Sequence, residues 1–252
     1  MLTSPIPTVP HPAGVSNPPC DLPIADPAYA RRFAGPVGAY LLSVQAHATR
    51  RMLAPFHAAR VLDLGGAHGQ NAELLCDLGH DVTVYGSAPG SQRPVLDLVR
   101  DGRVRFDRGP LDRLPYGDND LDVVVSYRIT AHVDDPAAFV AEMCRVARGA
   151  VVLDYPSWRS VNLVGPALFA LKRHVESGTR PYRSFWPGQV DRWFADHGFV
   201  RADTFGQFVW PMALHRLLQR PGLSRSAEAV PRALGLHRFF GSPVIACYRP
   251  RP

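Results

Sequence analysis

From residue 60 to residue 155 short β-branched runs alternate with amphipathic stretches, and this rhythm limits the possible folds more than any other feature of the chain. Val61-Leu62-Asp63-Leu64 is an apolar run with one acid, closed by a glycine-rich turn. A helical pattern follows from Gln70 to Leu78, and Gly79 stops it. Val82 to Tyr85 reads as a second strand, Val104 to Phe106 as a short third, Leu121 to Ser126 as a fourth and Ala150 to Leu153 as a fifth. A helix from Pro136 to Ala147 separates the last two. Valine-rich strands of this kind are those buried on both faces. Their regular alternation with helices predicts an α/β fold, a doubly wound, mostly parallel sheet covered on both sides.

The flanks read differently. Residues 1–23 hold seven prolines. Each fixes φ and removes a donor, which predicts an extended, disordered leader. Asp26-Pro27 has the form of a helix N-cap with proline at the first helical position, and helical patterning continues to about Leu53 with a break near Gly35-Pro36. Residues 24–58 are thus expected to form a helical cap on a single domain spanning 24–252, with the core at 60–155. Beyond Tyr155 an inserted helix is expected over 159–176, a helix from Pro187 to His197, a strand from Phe199 to Phe205, a largely helical stretch over 211–240 and a closing strand from Pro243 to Tyr248. The segments 156–186 and 211–240 are the two expected insertions.

Composition narrows the function. With 252 residues, 46% of them apolar, one substantial core is affordable and global disorder is excluded. The formal net charge is +6, carried by arginine except for Lys172. The basic residues never form a block, so a nucleic-acid footprint is weak. No apolar run reaches the ~18 residues of a membrane span. The first 24 residues lack the charged and apolar regions of a signal peptide. The four cysteines form no C-x-x-C pair, which argues against structural zinc and fits free thiols in a reducing cytoplasm. No metal signature is present.

The turn V61-L-D-L-G-G-A-H-G69 is the sharpest local signal. Glycines permit tight geometry and close ligand approach, and the helix behind them presents unpaired N–H groups. A G-x-G-x-x-G dinucleotide fingerprint fails at Ala67 and Gln70, which opposes a nicotinamide-dependent reductase. A D-x-G-x-G-x-G turn fits at Asp63, Gly65 and Gly69, with Ala67 in the middle position. The plain alternative is a tight turn without a ligand.

Taken together, VLDLGGAHG, then DRLPYGDNDLDVVVSYRITAHVDDP, then AVVLDYPS resemble the class I S-adenosylmethionine (SAM)-dependent methyltransferases, most closely the broad group that includes the quinone-biosynthesis enzymes. The resemblance covers residues 60–155 and implies a seven-stranded Rossmann-like sheet whose last, antiparallel strand inserts beside the fifth. It implies SAM as cofactor, and the apolar content of the two insertions suits a small, rather hydrophobic acceptor molecule. Asp63 and the turn Gly65, Gly66, Ala67, His68 and Gly69 would hold the methionine and ribose parts. The family's ribose-binding acid falls here on Gly86, beside Ser87. Its adenine-binding G-D-A segment reads Gly109-Pro110-Leu111, with Asp112 displaced and Leu111 able to pack on the adenine. Ser126 also belongs to this cofactor set. The two missing acids motivate an alternative, a catalytically degenerate binding or scaffold module on the same fold.

Residues just past the fourth strand belong at the reactive mouth. His132 reads as a general base or substrate ligand, or as a capping histidine. Arg128 reads as an anion or carbonyl binder, or as an ion-pair partner of Asp134 or Asp154. Tyr127 would bound the substrate, Tyr155 would do so or simply pack, and Arg180, Tyr182 and Arg183 read as a basic–aromatic lid, or alternatively as a base-stacking strip. Tyr29, Phe33 and Tyr40 would close the cofactor side or simply pack. The apolar stretches 161–171 and 208–218, flanked by arginines, suit either the cover of an apolar substrate or peripheral contact with an anionic membrane.

Overall fold

The computed structural model describes residues 31–66, 69–87, 91–160 and 183–252. The expected leader over 1–23, the Asp26-Pro27 cap, Tyr29 and nearly all of the expected 159–176 helix lie outside the described residues.

The strands are β1 (Arg60–Leu64), β2 (Asp81–Gly86), β3 (Val104–Arg108), β4 (Leu121–Ser126), β5 (Ala147–Tyr155), β6 (Phe199–Phe208) and β7 (Ser242–Pro250). They form one sheet in the order β3-β2-β1-β4-β5-β7-β6. β1 to β5 pair in parallel, while β7 is antiparallel to both β5 and β6. The doubly wound sheet expected from the alternation is therefore present, with the seven strands and the antiparallel last strand beside the fifth that the resemblance implied.

Period-two alternation sorts the side chains to two faces. Leu62, Val124, Val151 and Leu153 join Phe139, Val140 and Met143 of α4 (Pro136–Val146) and Val190 and Phe194 of α5 (Pro187–Ala195) in one buried layer. Val61, Val84, Val123, Val125 and Val152 join Ala48, Met52 and Leu53 of α1 (Gly35–Leu53) and Leu75 of α2 (Gln70–Asp77) in the other. Fully burying each such side chain contributes roughly 1.5–3 kcal/mol. α4 begins cleanly because Asp135 accepts from the Ala137 and Ala138 N–H groups at 3.0 Å and Pro136 occupies the first turn.

The break expected near Gly35-Pro36 is present: a 3-10 turn at Arg31–Phe33 precedes it and α1 starts there, with Gly35 at φ 71° and Pro36 where no intrahelical N–H is needed. Two features differ from the sequence reading. The stretch between β2 and β3, left unassigned by its prolines, holds a 3-10 turn at Arg93–Val95 and α3 (Leu96–Arg100). The 211–240 segment resolves into α6 (Met212–Leu218), α7 (Pro221–Ala233) and α8 (His237–Phe240). Among the described residues no helix is long and apolar enough to cross a membrane, and no group of His, Cys, Asp or Glu could hold a metal ion.

Candidate active site

Strand order reverses between β1 and β4, so their outgoing connections diverge and leave a crevice at their carboxyl ends. Asp63, Gly65, Gly66, Gln70, Asn71, Tyr127 and Arg128 line it.

Asp63 is fully buried; the Asn71 amide is close enough to favour its charge, but neither carboxylate oxygen completes a well-formed hydrogen bond among the described residues. Burial pushes its pKa up to about 7, while the Asn71 amide and the Arg128 charge pull the other way. The Gln70 Oε1 is likewise buried without a partner. Native interiors rarely leave such acceptors unmet, so this corner calls for a donor-bearing ligand. The turn beside it must be glycine at two positions. Gly65 has φ 76°, and a β-carbon there would fall 2.5 Å from the Ile129 side chain. A β-carbon on Gly66 would fall 2.2 Å from Asp63 Oδ2. Gly69, at φ 67°, caps α2.

Arg128 forms the opposite wall. Its backbone is left-handed, φ 67°, a conformation that costs a non-glycine residue of order 1–3 kcal/mol. An N–H donated at 2.5 Å to the buried Asp154 carboxylate holds it there. Burial raises the Asp154 pKa to about 6 despite that N–H and the Arg128 charge. The Arg128 guanidinium donates to Gln45 Oε1 at 2.9 Å and lies 4.2 Å from the centre of the Phe33 ring. Gln45 Nε2 in turn donates to Asn71 Oδ1 at 2.7 Å. A continuous polar path thus joins the N-terminal cap to the residue beside Asp63. Thr49 donates to the Gln45 carbonyl, so the Tyr127 hydroxyl, 2.8 Å from Thr49 Oγ1, is the donor of that pair. Burial pushes the Tyr127 pKa upward, keeping it neutral.

The remaining residues singled out in the sequence are placed as follows. Ser126 is buried and donates to the Leu64 carbonyl at 2.9 Å, latching β4 to β1. Gly86 ends β2 against the buried Ser91, and Ser87 follows it. Leu111 is buried in the core, whereas Asp112 is exposed. His132 is half-buried, in the loop after β4 that also carries Arg128, with its N–H on the Ile129 carbonyl. Arg183 spends its guanidinium on the Val133 and Asp134 carbonyls and its N–H on Ala131, so it fastens that loop. Tyr155 is fully buried in the core layer on the α4 side and does not line the crevice. Ala67, His68, Arg180 and Tyr182 lie outside the described residues. The sequence reading missed Gln45, Thr49, Gln70 and Asn71. Gln45 and Thr49 did leave a signal, a polar pair at i, i+4 inside the apolar stripe of α1 formed by Leu41, Ala48 and Met52.

Comparison with known proteins agrees with this architecture. The family model described as "Methyltransferase domain" matches residues 62–153. An uncharacterized methyltransferase of Mycobacteroides abscessus is 29% identical over 164 residues, which cover 61% of this chain and 57% of that protein. A protein of Mycobacterium tuberculosis strain H37Rv, named a probable S-adenosylmethionine-dependent methyltransferase, is 31% identical over 160 residues, covering 63% and 56%. These matches span under three-fifths of each relative's length. The solved structure of magnesium protoporphyrin IX methyltransferase from Synechocystis PCC 6803, with SAH bound, superposes with a TM-score of 0.60 at 14% identity, over 88% of this chain and 92% of that one. Residues 62–153 are thus similar to a methyltransferase domain, and the fold is that of solved methyltransferases.

Proposed function

We propose that this protein catalyses methyl transfer from SAM to a small, rather hydrophobic acceptor. The observation that carries the reading is the buried Asp63 carboxylate, which completes no well-formed hydrogen bond among the described residues, beside a turn that only glycine can form. The site fits the cofactor by donor count. Asp63 and Gln70 offer buried acceptors to the ligand's ammonium and hydroxyl groups, and the glycines leave room for backbone approach. The same carboxylate would repel a pyrophosphate, which argues against a dinucleotide in this turn.

SAM supplies an electrophilic methyl group. The chain's own part is to hold, orient and exclude water. Asn71 steadies Asp63, and Arg128, pinned by Asp154, Gln45 and Phe33, covers the crevice. His132 stands on the same loop as a candidate proton acceptor, its backbone fixed by Ile129 and its loop by Arg183. Asp154 serves as a positioning residue because its carboxylate is spent on the Arg128 N–H. Tyr127 and Arg128 bound the acceptor side, with Arg180 and Tyr182 proposed to join them.

Calorimetric titration of the whole chain with SAM tests the reading. Saturable binding is expected, with Asp63→Asn weakening it tenfold or more because a charge-assisted bond is worth about 1.5–3 kcal/mol. No heat with SAM, or an unchanged affinity in folded Asp63→Asn, would sink it. Binding without turnover on any acceptor would favour the degenerate module instead.

A further inference from the structure

We infer that the α6–α8 segment docks the protein on an anionic lipid surface through the outer stripe of α7. This inference is independent of the methyl-transfer reading. Large apolar residues exposed on the described surface concentrate here: Leu217, Leu223, Val230, Leu234, Phe239 and Phe240 are each between 48% and 72% exposed. Leu223, Val230 and Leu234 recur at i, i+7 and i+11, with Ala227 between them, so they form one line along α7. The helical bonding carries past the end of α7, with the Leu234 N–H on the Val230 carbonyl. Phe239 and Phe240 follow after a three-residue connection.

The opposite side of α7 is already occupied. Ser224, Glu228 and Pro231 are buried. Glu228 accepts from the Val209 and Trp210 N–H groups at 3.1 Å, meets His215 Nε2 at 3.0 Å, and lies 2.7 Å from His237 Nε2. This knot ties the inner face of α7 to the chain leaving β6 and to α6 and α8, and the apolar outer stripe is left exposed.

Charge selects the occupant. Residues 209–241 contain five arginines and one acid, Glu228, which is buried in the knot. The surface of the segment therefore carries positive charge only. Arg220 precedes the apolar stripe and Arg238 follows it, where long side chains can reach headgroups while the stripe enters the interface. A symmetric second copy would set these arginines against each other. The chain's own 161–182 stretch is cationic too, with Lys172, Arg173 and Arg180 against Glu176. An anionic bilayer supplies both an apolar phase and negative charge.

Flotation of the full chain with vesicles of phosphatidylglycerol and phosphatidylcholine (1:1), beside pure phosphatidylcholine, tests this. Binding is expected on the anionic vesicles, with at least tenfold less on the neutral ones and a steep loss in high salt. Val230→Asp/Leu234→Asp and, separately, Arg220→Glu/Arg238→Glu should each weaken binding at least tenfold. Both pairs are exposed, and an unchanged melting temperature and SAM titration would show the fold intact. The inference is overturned if wild type stays with neither vesicle, or if both folded variants bind like wild type. It is equally overturned if light scattering shows a lipid-free dimer that Val230→Asp/Leu234→Asp converts to monomer, because the stripe is then a protein seam.

Discussion

Asp63 is buried as a carboxyl group whose pKa stands near 7, well above the ordinary aspartate value. A raised folded-state value means that the ligand-free protein gains stability from this group at low pH and loses it as pH rises through about 7. Asp63→Asn should therefore melt at least as high as wild type at pH 8 while binding SAM more weakly. Binding a donor-rich ligand requires the ionised form, so SAM affinity should rise between about pH 6 and pH 8 with proton release. Calorimetry in two buffers of different ionisation heat reads this directly; a flat affinity with no proton release would contradict it. Arg128 gives a second test at this scale. Arg128→Gly removes the left-handed strain but also the bonds to Gln45 and the stack on Phe33. Stability should change by under about 1 kcal/mol in chemical denaturation, since strain relief offsets lost contacts. Turnover should still fall at least tenfold. Asp63, Gly65 and Gly69 were legible in the sequence because their spacing is local. The path from Arg128 through Gln45 to Asn71 was not, because its members are 83 and 26 residues apart and meet only in the fold.

Elements were read best where periodicity was uninterrupted. β4 runs from Leu121 to Ser126 as expected, since its valines admit no helical face. β5 is longer than the apolar run suggested and carries Tyr155. Tyr155 shares the parity of Val151 and Leu153, so the same alternation that placed those residues in the core also places the tyrosine there rather than at a pocket lip. The 211–240 segment looked like a greasy insertion, and its buried polar knot was invisible because Glu228, His215 and His237 fall on three separate helices. That knot has a pH signature. Burial and the Arg232 charge hold His237 below the ordinary histidine value even though Glu228 faces it, and the His215 and backbone bonds to Glu228 keep the glutamate below its own. Both depressed values mean that the knot's contribution is present at neutral pH and lost on acidification, first through His237 below the ordinary histidine value of 6.5 and then through Glu228 below the ordinary glutamate value of 4.5. His237→Asn should therefore be less stable than wild type at pH 7.5, and the gap in melting temperature should narrow by pH 5. A constant gap would show that His237 acts by packing alone.

On the scale of the whole molecule, α1 is the element that two regions share. Its Gln45, Ala48, Thr49 and Met52 face the sheet and the residues of the crevice, whereas Tyr40, Ser43, Val44 and His47 face α7 across a cleft of about 370 Å³. The crevice is linked to the first set through Arg128 and Asn71, which bond Gln45, and through Tyr127, which bonds Thr49, whereas the second set lines the other cleft. A ligand that binds only the native state adds about 2.7 kcal/mol at a hundred times its Kd, and that stabilisation reaches only openings that break the site. SAM at that concentration should therefore slow amide exchange up to about 100-fold around Gln45 to Thr49, at the start of α2 and in the loop from Tyr127 to Val133. Exchange in α6, α7 and α8 should stay within about twofold, because their anchor is the Glu228 knot rather than the crevice. Exchange mass spectrometry with and without SAM separates the two patterns. Protection confined to α6–α8 would move the ligand to the cleft beside Arg225 and Arg232, and protection spread evenly over both regions would mean that α1 moves as a rigid lever coupling them.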